Sequence, residues 1–256
     1  MAAEDGQDVP GEAALYRDGE AVFEGYVVAP DHGVSKRPCV LLAHDWSGLT
    51  APTKHLAKRY ASLGYTCFAV DVYGQGVRGD PVGDNQSLMA PLMEDRHLLR
   101  QRLLAGVSAA RTHPRVDSTR LAVVGYCFGG LCALDLARVG TPNLKAAVSF
   151  HGALQAAQDE KPSPIDASVL LLHGWDDPIA PPEDVLAIAA ELTTAGADWQ
   201  LHAYGHAQHA FTFQDARFPE RGIVYDHAAD TRSWAAMRTH LAATLDSKPL
   251  GPVSAP

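Results

Sequence analysis

Short apolar runs recur along this chain, most of them leading into a stretch with helical spacing, and that rhythm limits the possible folds more than any other feature. Cys39 to Ala43 precedes Thr53 to Ser62, and Thr66 to Val72 precedes a Gly-rich loop and a long helix within Ala90 to Thr112. Leu121 to Val124 leads into Gly129 to Arg138, and Ala146 to Phe150 into a loop. Val169 to Leu172 leads to Glu183 to Thr194, and Trp199 to Tyr204, after a loop, to a last helix near His227 to Leu245. Runs that are apolar on both faces must be covered on both. The expected fold is therefore α/β, a mostly parallel central sheet with helices on both faces. Asp18-Gly19, between Ala14 to Arg17 and Ala21 to Ala29, adds a two-residue turn signal for an opening hairpin.

The 256 residues are 46% hydrophobic and 20% charged, which suits one large domain with a full core. We read residues 1–12 as a polar, acidic tail, 13–246 as the single domain and 247–256 as a loose tail. A formal charge of −9, with Lys and Arg scattered singly or in pairs, argues against a nucleic-acid partner. Neither a secretory h-region nor a run of membrane-spanning length is visible, so the expectation is a cytoplasmic protein with no membrane partner, a monomer or weak homodimer. Cys39, Cys67, Cys127 and Cys132 form no CxxC pair and sit in strand or helix patterns, as free thiols do in a reducing compartment. Their spacing does not suggest zinc, despite 12 histidines.

In such a sheet, ligands bind beyond the carboxyl ends of the strands. Polar groups collect there: His44-Asp45-Trp46, Tyr73-Gly74-Gln75-Gly76, Gly125-Tyr126-Cys127-Phe128-Gly129-Gly130, His151-Gly152, His173-Gly174-Trp175-Asp176-Asp177, and Gly205-His206-Ala207-Gln208-His209. Gly125-x-Cys127-x-Gly129 has the form of a strand-turn-helix elbow, whose central residue is strained and whose neighbours two away must lack bulk. The turn lifts the sulfur out of the core and sets it at a helix N-terminus, where the dipole and free N–H groups favour a thiolate. A free cysteine in an apolar run is more often inert. The flanking glycines reverse that reading and make Cys127 a candidate nucleophile.

A nucleophile needs a base, and the base an orienting acid. Asp177, immediately before Pro178, suits a fixed orienter, while Asp176 reads as an exposed turn residue. For the base, His202 falls inside a strand pattern, leaving His206 and His209; His209 is followed by Ala210-Phe211, an apolar anchor for a loop. The backbone N–H groups of Phe128 and Trp46 are the expected oxyanion donors. Asp45 has two readings that stand level: a carboxylate that modulates the thiol, or a brace for its own loop.

Five segments in order resemble the dienelactone hydrolase family of α/β-hydrolases: His44-Asp45-Trp46-Ser47-Gly48, Asp71-Val72-Tyr73-Gly74, Gly125 to Gly130, His173 to Pro178, and His209-Ala210-Phe211. The resemblance runs from the hairpin to the last helix. It implies a Cys127-His209-Asp177 triad that hydrolyses an ester or lactone through a thioester, with no metal or organic cofactor. It also implies a modulating acid at position 45, where the best-known members carry Glu. Dienelactone hydrolases proper place arginines where this chain has Gln75 and Phe213. A neutral, apolar substrate is therefore expected over an anionic dienelactone, unless Arg78 or Arg217 turns inward. Tyr73, Gln75, Trp175, Phe211 and Phe213 are the expected pocket residues, and the Gly74 to Asn85 loop a candidate cover. Three rival functions are a thiol redox sensor, with Cys132 as the second thiol, a binding module that keeps the fold but has lost the chemistry, and acyl transfer to an alcohol.

Overall fold

The computed structural model describes residues 9–30, 35–157 and 163–246. Residues 1–8 and 247–256, most of the two expected tails, lie outside the described residues. The first strand, β1 (Gly11–Asp18), starts two residues inside the expected N-terminal tail. It pairs antiparallel with β2 (Ala21–Val28), closing on Asp18 and Ala21. The turn residues are thus Gly19 and Glu20, one later than the Asp-Gly reading, and Gly19 supplies a φ of +56° that a residue with a Cβ rarely adopts.

Six further strands complete an eight-stranded sheet: β3 (Arg37–Ala43), β4 (Thr66–Val70), β5 (Val116–Tyr126), β6 (Leu144–Phe150), β7 (Ser168–Gly174) and β8 (Trp199–Tyr204). Their order is β1-β2-β4-β3-β5-β6-β7-β8, parallel from β4 onward. Alternation along the inner strands sorts side chains into two cores. Cys39, Leu41, Leu121 and Val123 face one side; Val40, Leu42, Ala122 and Val124 face the other. Helices α1 (Ala51–Ser62) and α6 (His227–Leu245) cover the second face with Ala57, Tyr60, Met237 and Leu241. Helices α3 (Arg96–Thr112), α4 (Phe128–Arg138) and α5 (Pro182–Thr194) cover the first with Leu99, Leu103, Leu131 and Ile188. Each fully buried Leu or Ile contributes about 1.5–3 kcal/mol, so helices that bury a whole stripe hold the sheet firmly from both sides.

The long helix expected within Ala90 to Thr112 is two. Helix α2 (Gln86–Glu94) ends where Asp95 leaves helical geometry, and the Asp95 carboxylate accepts from the Leu98 N–H to cap α3. Two pieces carried no sequence expectation, the two-residue strands β9 (Arg217–Phe218) and β10 (Ile223–Val224), which pair as a small hairpin. Among the described residues, no helix is long and apolar enough to cross a membrane.

Candidate active site

The inner strand β5 runs into Cys127, which caps α4 with φ +55° and ψ −117°, a conformation strained for any residue with a Cβ. Its surroundings over-determine it: the Cys127 N–H donates to Phe150 O (3.0 Å) and its carbonyl accepts from the Gly130 N–H (2.9 Å). A methyl group on Gly125 would overlap the Gly129 backbone, and one on Gly129 the Ala43 carbonyl, so both flanking positions must stay bare. Cys127 is partly exposed, while Cys39, Cys67 and Cys132 are buried, and all four are free thiols.

Asp177 and His209 meet after β7 and β8. The His209 Nδ1 lies 2.8 Å from Asp177 Oδ2, and the other carboxylate oxygen accepts from the Ile179 N–H at 2.8 Å. Both side chains are buried. The β9–β10 hairpin holds the His209 backbone, with the His209 N–H donating to Gly222 O (2.9 Å) and the Val224 N–H to His209 O (3.0 Å). The buried Nε2 finds no hydrogen-bond partner of regular geometry among the described residues. It nevertheless feels the sulfur. Burial alone would pull His209 down, but the charge of the nearby Cys127 sulfur and the hydrogen bond and charge of the Asp177 carboxylate carry it up to about 10.

The rivals lie elsewhere. His206 is 98% exposed and pairs with the half-exposed Asp176 at 3.5 Å, and His202 is exposed on edge strand β8. Among the described residues, neither the Phe128 nor the Trp46 N–H donates to a protein carbonyl, so both donors are unclaimed. The Asp45 carboxylate accepts from both the N–H (2.7 Å) and the hydroxyl (2.6 Å) of Ser47, which is the geometry of a loop brace.

A cavity of about 560 Å³ opens over Cys127, within the usual range for a small-molecule site. Its wall takes Trp46, Phe128, Phe213, Leu56, Met89 and Trp234 from five separated parts of the chain. Of the five expected pocket residues, Phe213 alone lines it. The Tyr73 hydroxyl donates to Trp46 O (2.9 Å) and its ring stacks on Phe128, one layer behind the wall. Phe211 is fully buried and anchors the His209 loop beneath the cavity, Gln75 is exposed, and Trp175 is 42% exposed and turned outward. Arg78 is occupied by Asp71, Glu24 and the Gly74 carbonyl, and Arg217 is exposed on β9; neither lines the cavity. Pro81, Val82 and Gly83 of the Gly74 to Asn85 loop do line it. His151, whose ring meets that of His209 edge-on, stands in the sequence as a strand-end residue without an expected role.

Burial is the main reason that His44, His151, His173 and His240 titrate below the ordinary 6.5. The unfolded chain takes up protons near 6.5 that these folded sites refuse, so their stability is complete above pH 6.5 and is lost as pH falls. His209 acts oppositely: its contribution is complete below 6.5 and is lost as pH rises through about 10. Thermal melts across this range should show a Tm maximum near neutral pH with a steeper fall on the acid side, four groups acting against one. A Tm that climbs as pH drops below 6.5 would contradict the assignment.

A mostly parallel sheet whose inner strand runs into a left-handed turn at a helix N-terminus is the framework of an α/β-hydrolase. Residues 23–245 match the model of the dienelactone hydrolase family, and the chain belongs to that family. It is similar to a dienelactone hydrolase-like promiscuous phosphotriesterase from metagenomic libraries, with 32% identity and a TM-score of 0.86 over 92% of this chain and 98% of that one. An uncharacterized protein of Caenorhabditis elegans, K02A2.1, is 34% identical over 140 residues, 54% of this chain and 89% of that one. Protein usf of Aquifex pyrophilus is 25% identical over 228 residues, 88% of this chain and 94% of that one. The protein is accordingly an enzyme, a hydrolase of carboxylic esters or lactones.

Proposed function

We propose that the hydrolysis proceeds through a thioester on Cys127, with His209 as base and Asp177 as its orienter, in a single domain whose expected span of 13–246 extends at its start to the first residue of β1, Gly11. The observation that carries the reading is the convergence on one cavity of a strained, partly exposed thiol and a buried imidazole bonded to a buried carboxylate. His209, carried up to about 10, already holds the Cys127 proton on Nε2 as partner of the thiolate, and the sulfur attacks the carbonyl carbon, while the Phe128 and Trp46 N–H groups receive the oxyanion. Collapse of the tetrahedral intermediate expels the alkoxide, protonated by His209. Water, deprotonated by the same imidazole, then cleaves the thioester and frees the acid. Asp177 holds the proton on Nδ1 throughout, which leaves Nε2 as the acceptor.

The substrate we infer is neutral and apolar around the scissile bond. Phe213 is part of the wall, Gln75 is outside it, and Arg78 is held by Asp71, so neither of the positions that the family resemblance marks for a carboxylate clamp offers an arginine to the cavity; the two arginines that do line it, Arg59 and Arg221, come from elsewhere, and Arg59 lies over the Trp234 ring at 3.9 Å. The metagenomic relative is a phosphotriesterase, and phosphotriesters are also uncharged, which favours the same polarity. We further infer a cytoplasmic monomer or weak homodimer that acts on small molecules and binds neither nucleic acid nor membrane. The redox-sensor alternative loses support because Cys132, at 1% exposure, is sealed in the core.

A panel of neutral aryl and alkyl esters, neutral lactones, one neutral phosphotriester and one carboxylate-bearing dienelactone tests this. Neutral esters should be turned over with kcat/KM at least about tenfold above the dienelactone, the scale of one lost charge-assisted contact. Acid quenching during turnover should trap an acyl mass on the Cys127 peptide. A preference for the dienelactone would overturn the substrate reading, and a wild type that turns over esters with no adduct would overturn the thioester.

A further inference from the structure

Strand β6 ends at Phe150, and the chain turns at His151 with φ +37°, in the left-handed region. A second residue with a Cβ in that region, Ala210 at φ +56°, directly follows the base. Such conformations persist only where the surrounding structure over-determines them. One side-chain hydrogen bond ties the two turns together: His151 Nε2 lies 2.8 Å from Thr212 Oγ1. His151 is itself fixed, since its N–H donates to Leu172 O at 2.8 Å and its side chain is buried. Its ring meets those of His209 and Phe211 edge-on, at centroid separations of 5.2 and 5.0 Å. Burial, reinforced by the charge on His209, holds the His151 imidazole neutral, so it can bond to Thr212 without setting a permanent charge beside the base.

We propose that the His151 to Thr212 hydrogen bond is a latch that holds the loop 209–213 in its strained form and keeps His209 Nε2 directed at the Cys127 sulfur. His151 and Thr212 are then positioning residues for the proton transfers, a role that rests on His209 being the base. Sub-ångström placement matters because a misplacement of about 1 Å lowers a rate by on the order of a hundredfold.

Thr212→Val, His151→Phe, the double variant and His151→Gln test the latch with a neutral ester. Each of the first two should lower kcat about ten- to a hundredfold, a larger change than in KM, although both residues also line the cavity. The double variant should be no slower than the slower single, because both remove the same bond. His151→Gln, which retains a donor and an acceptor, should recover most of the loss. If His151→Phe fails to fold, Thr212→Val decides alone, since it removes only a hydroxyl. A kcat within twofold of wild type in both single variants, or losses that multiply in the double, would overturn the latch. Where wild type still forms the Cys127 acyl adduct, that result leaves the triad standing; a wild type that turns over esters without the adduct overturns the triad and the latch with it.

Discussion

Cys127→Ala should lower turnover of a neutral ester by on the order of 10⁵-fold or more, the scale seen when a catalytic nucleophile is removed, while leaving Tm within a few degrees. The two halves of this expectation come from different parts of the structure. Activity falls because alanine has no atom to form the acyl bond, and Cys39, Cys67 and Cys132 are buried and cannot substitute. Stability holds because the strain of the elbow lies in its backbone, at φ +55° and ψ −117°, and its two backbone hydrogen bonds to Phe150 and Gly130 are untouched. Paired steady-state assays and thermal melts check it. A variant that retains more than about 1% of kcat, well above what oxyanion donors and binding supply without a nucleophile, would place the chemistry on another residue.

Asp177→Asn should reduce kcat about 10⁴-fold with the fold preserved, which is a sharper test because shape and hydrogen-bond count stay the same. The Ile179 N–H now donates to Asp177 Oδ1, and an asparagine would keep its oxygen there. Its amide group would then point at His209 Nδ1 and donate, where the carboxylate accepts. The imidazole would be forced to carry its proton on Nε2, aimed at the sulfur, and could accept nothing from it. A loss below about tenfold would mean that Asp177 only braces its loop.

How far the sequence speaks depends on the length of the signal. Runs such as Val40-Leu41-Leu42 read as strands because both faces are apolar, and Gly125 and Gly129 read as an elbow because two bare positions flank a thiol. Asp95 does not stand out as a helix boundary because Leu88, Met89 and Leu92 on one side and Leu99 and Leu103 on the other carry the apolar stripe across it. Its capping role shows only in the bond to the Leu98 N–H. Strands β9 and β10 have two residues each and no period to detect. Cys127, Asp177 and His209 are legible as candidates from their residue types at strand ends, with help from a family resemblance in choosing His209 over His206. The cavity wall was not: sequence marks Trp175 and Phe211 as aromatic but does not say that one turns to solvent and the other below the floor. Trp234 enters the wall from a helix at the far end of the chain.

The hairpin β9–β10 also joins Asp177 to His209. Gly222, at φ +66°, accepts from the His209 N–H through its carbonyl, and the place a Cβ would occupy on it is filled by Pro178, next to Asp177. Segments that share backbone bonds and a close contact of this kind open as one cooperative unit. In amide hydrogen exchange, His209 and Val224 would then lose protection together and at the same denaturant concentration. Asp177 and His209 would come apart in a single event, leaving the Cys127 elbow, bonded to β6, as the last part to open.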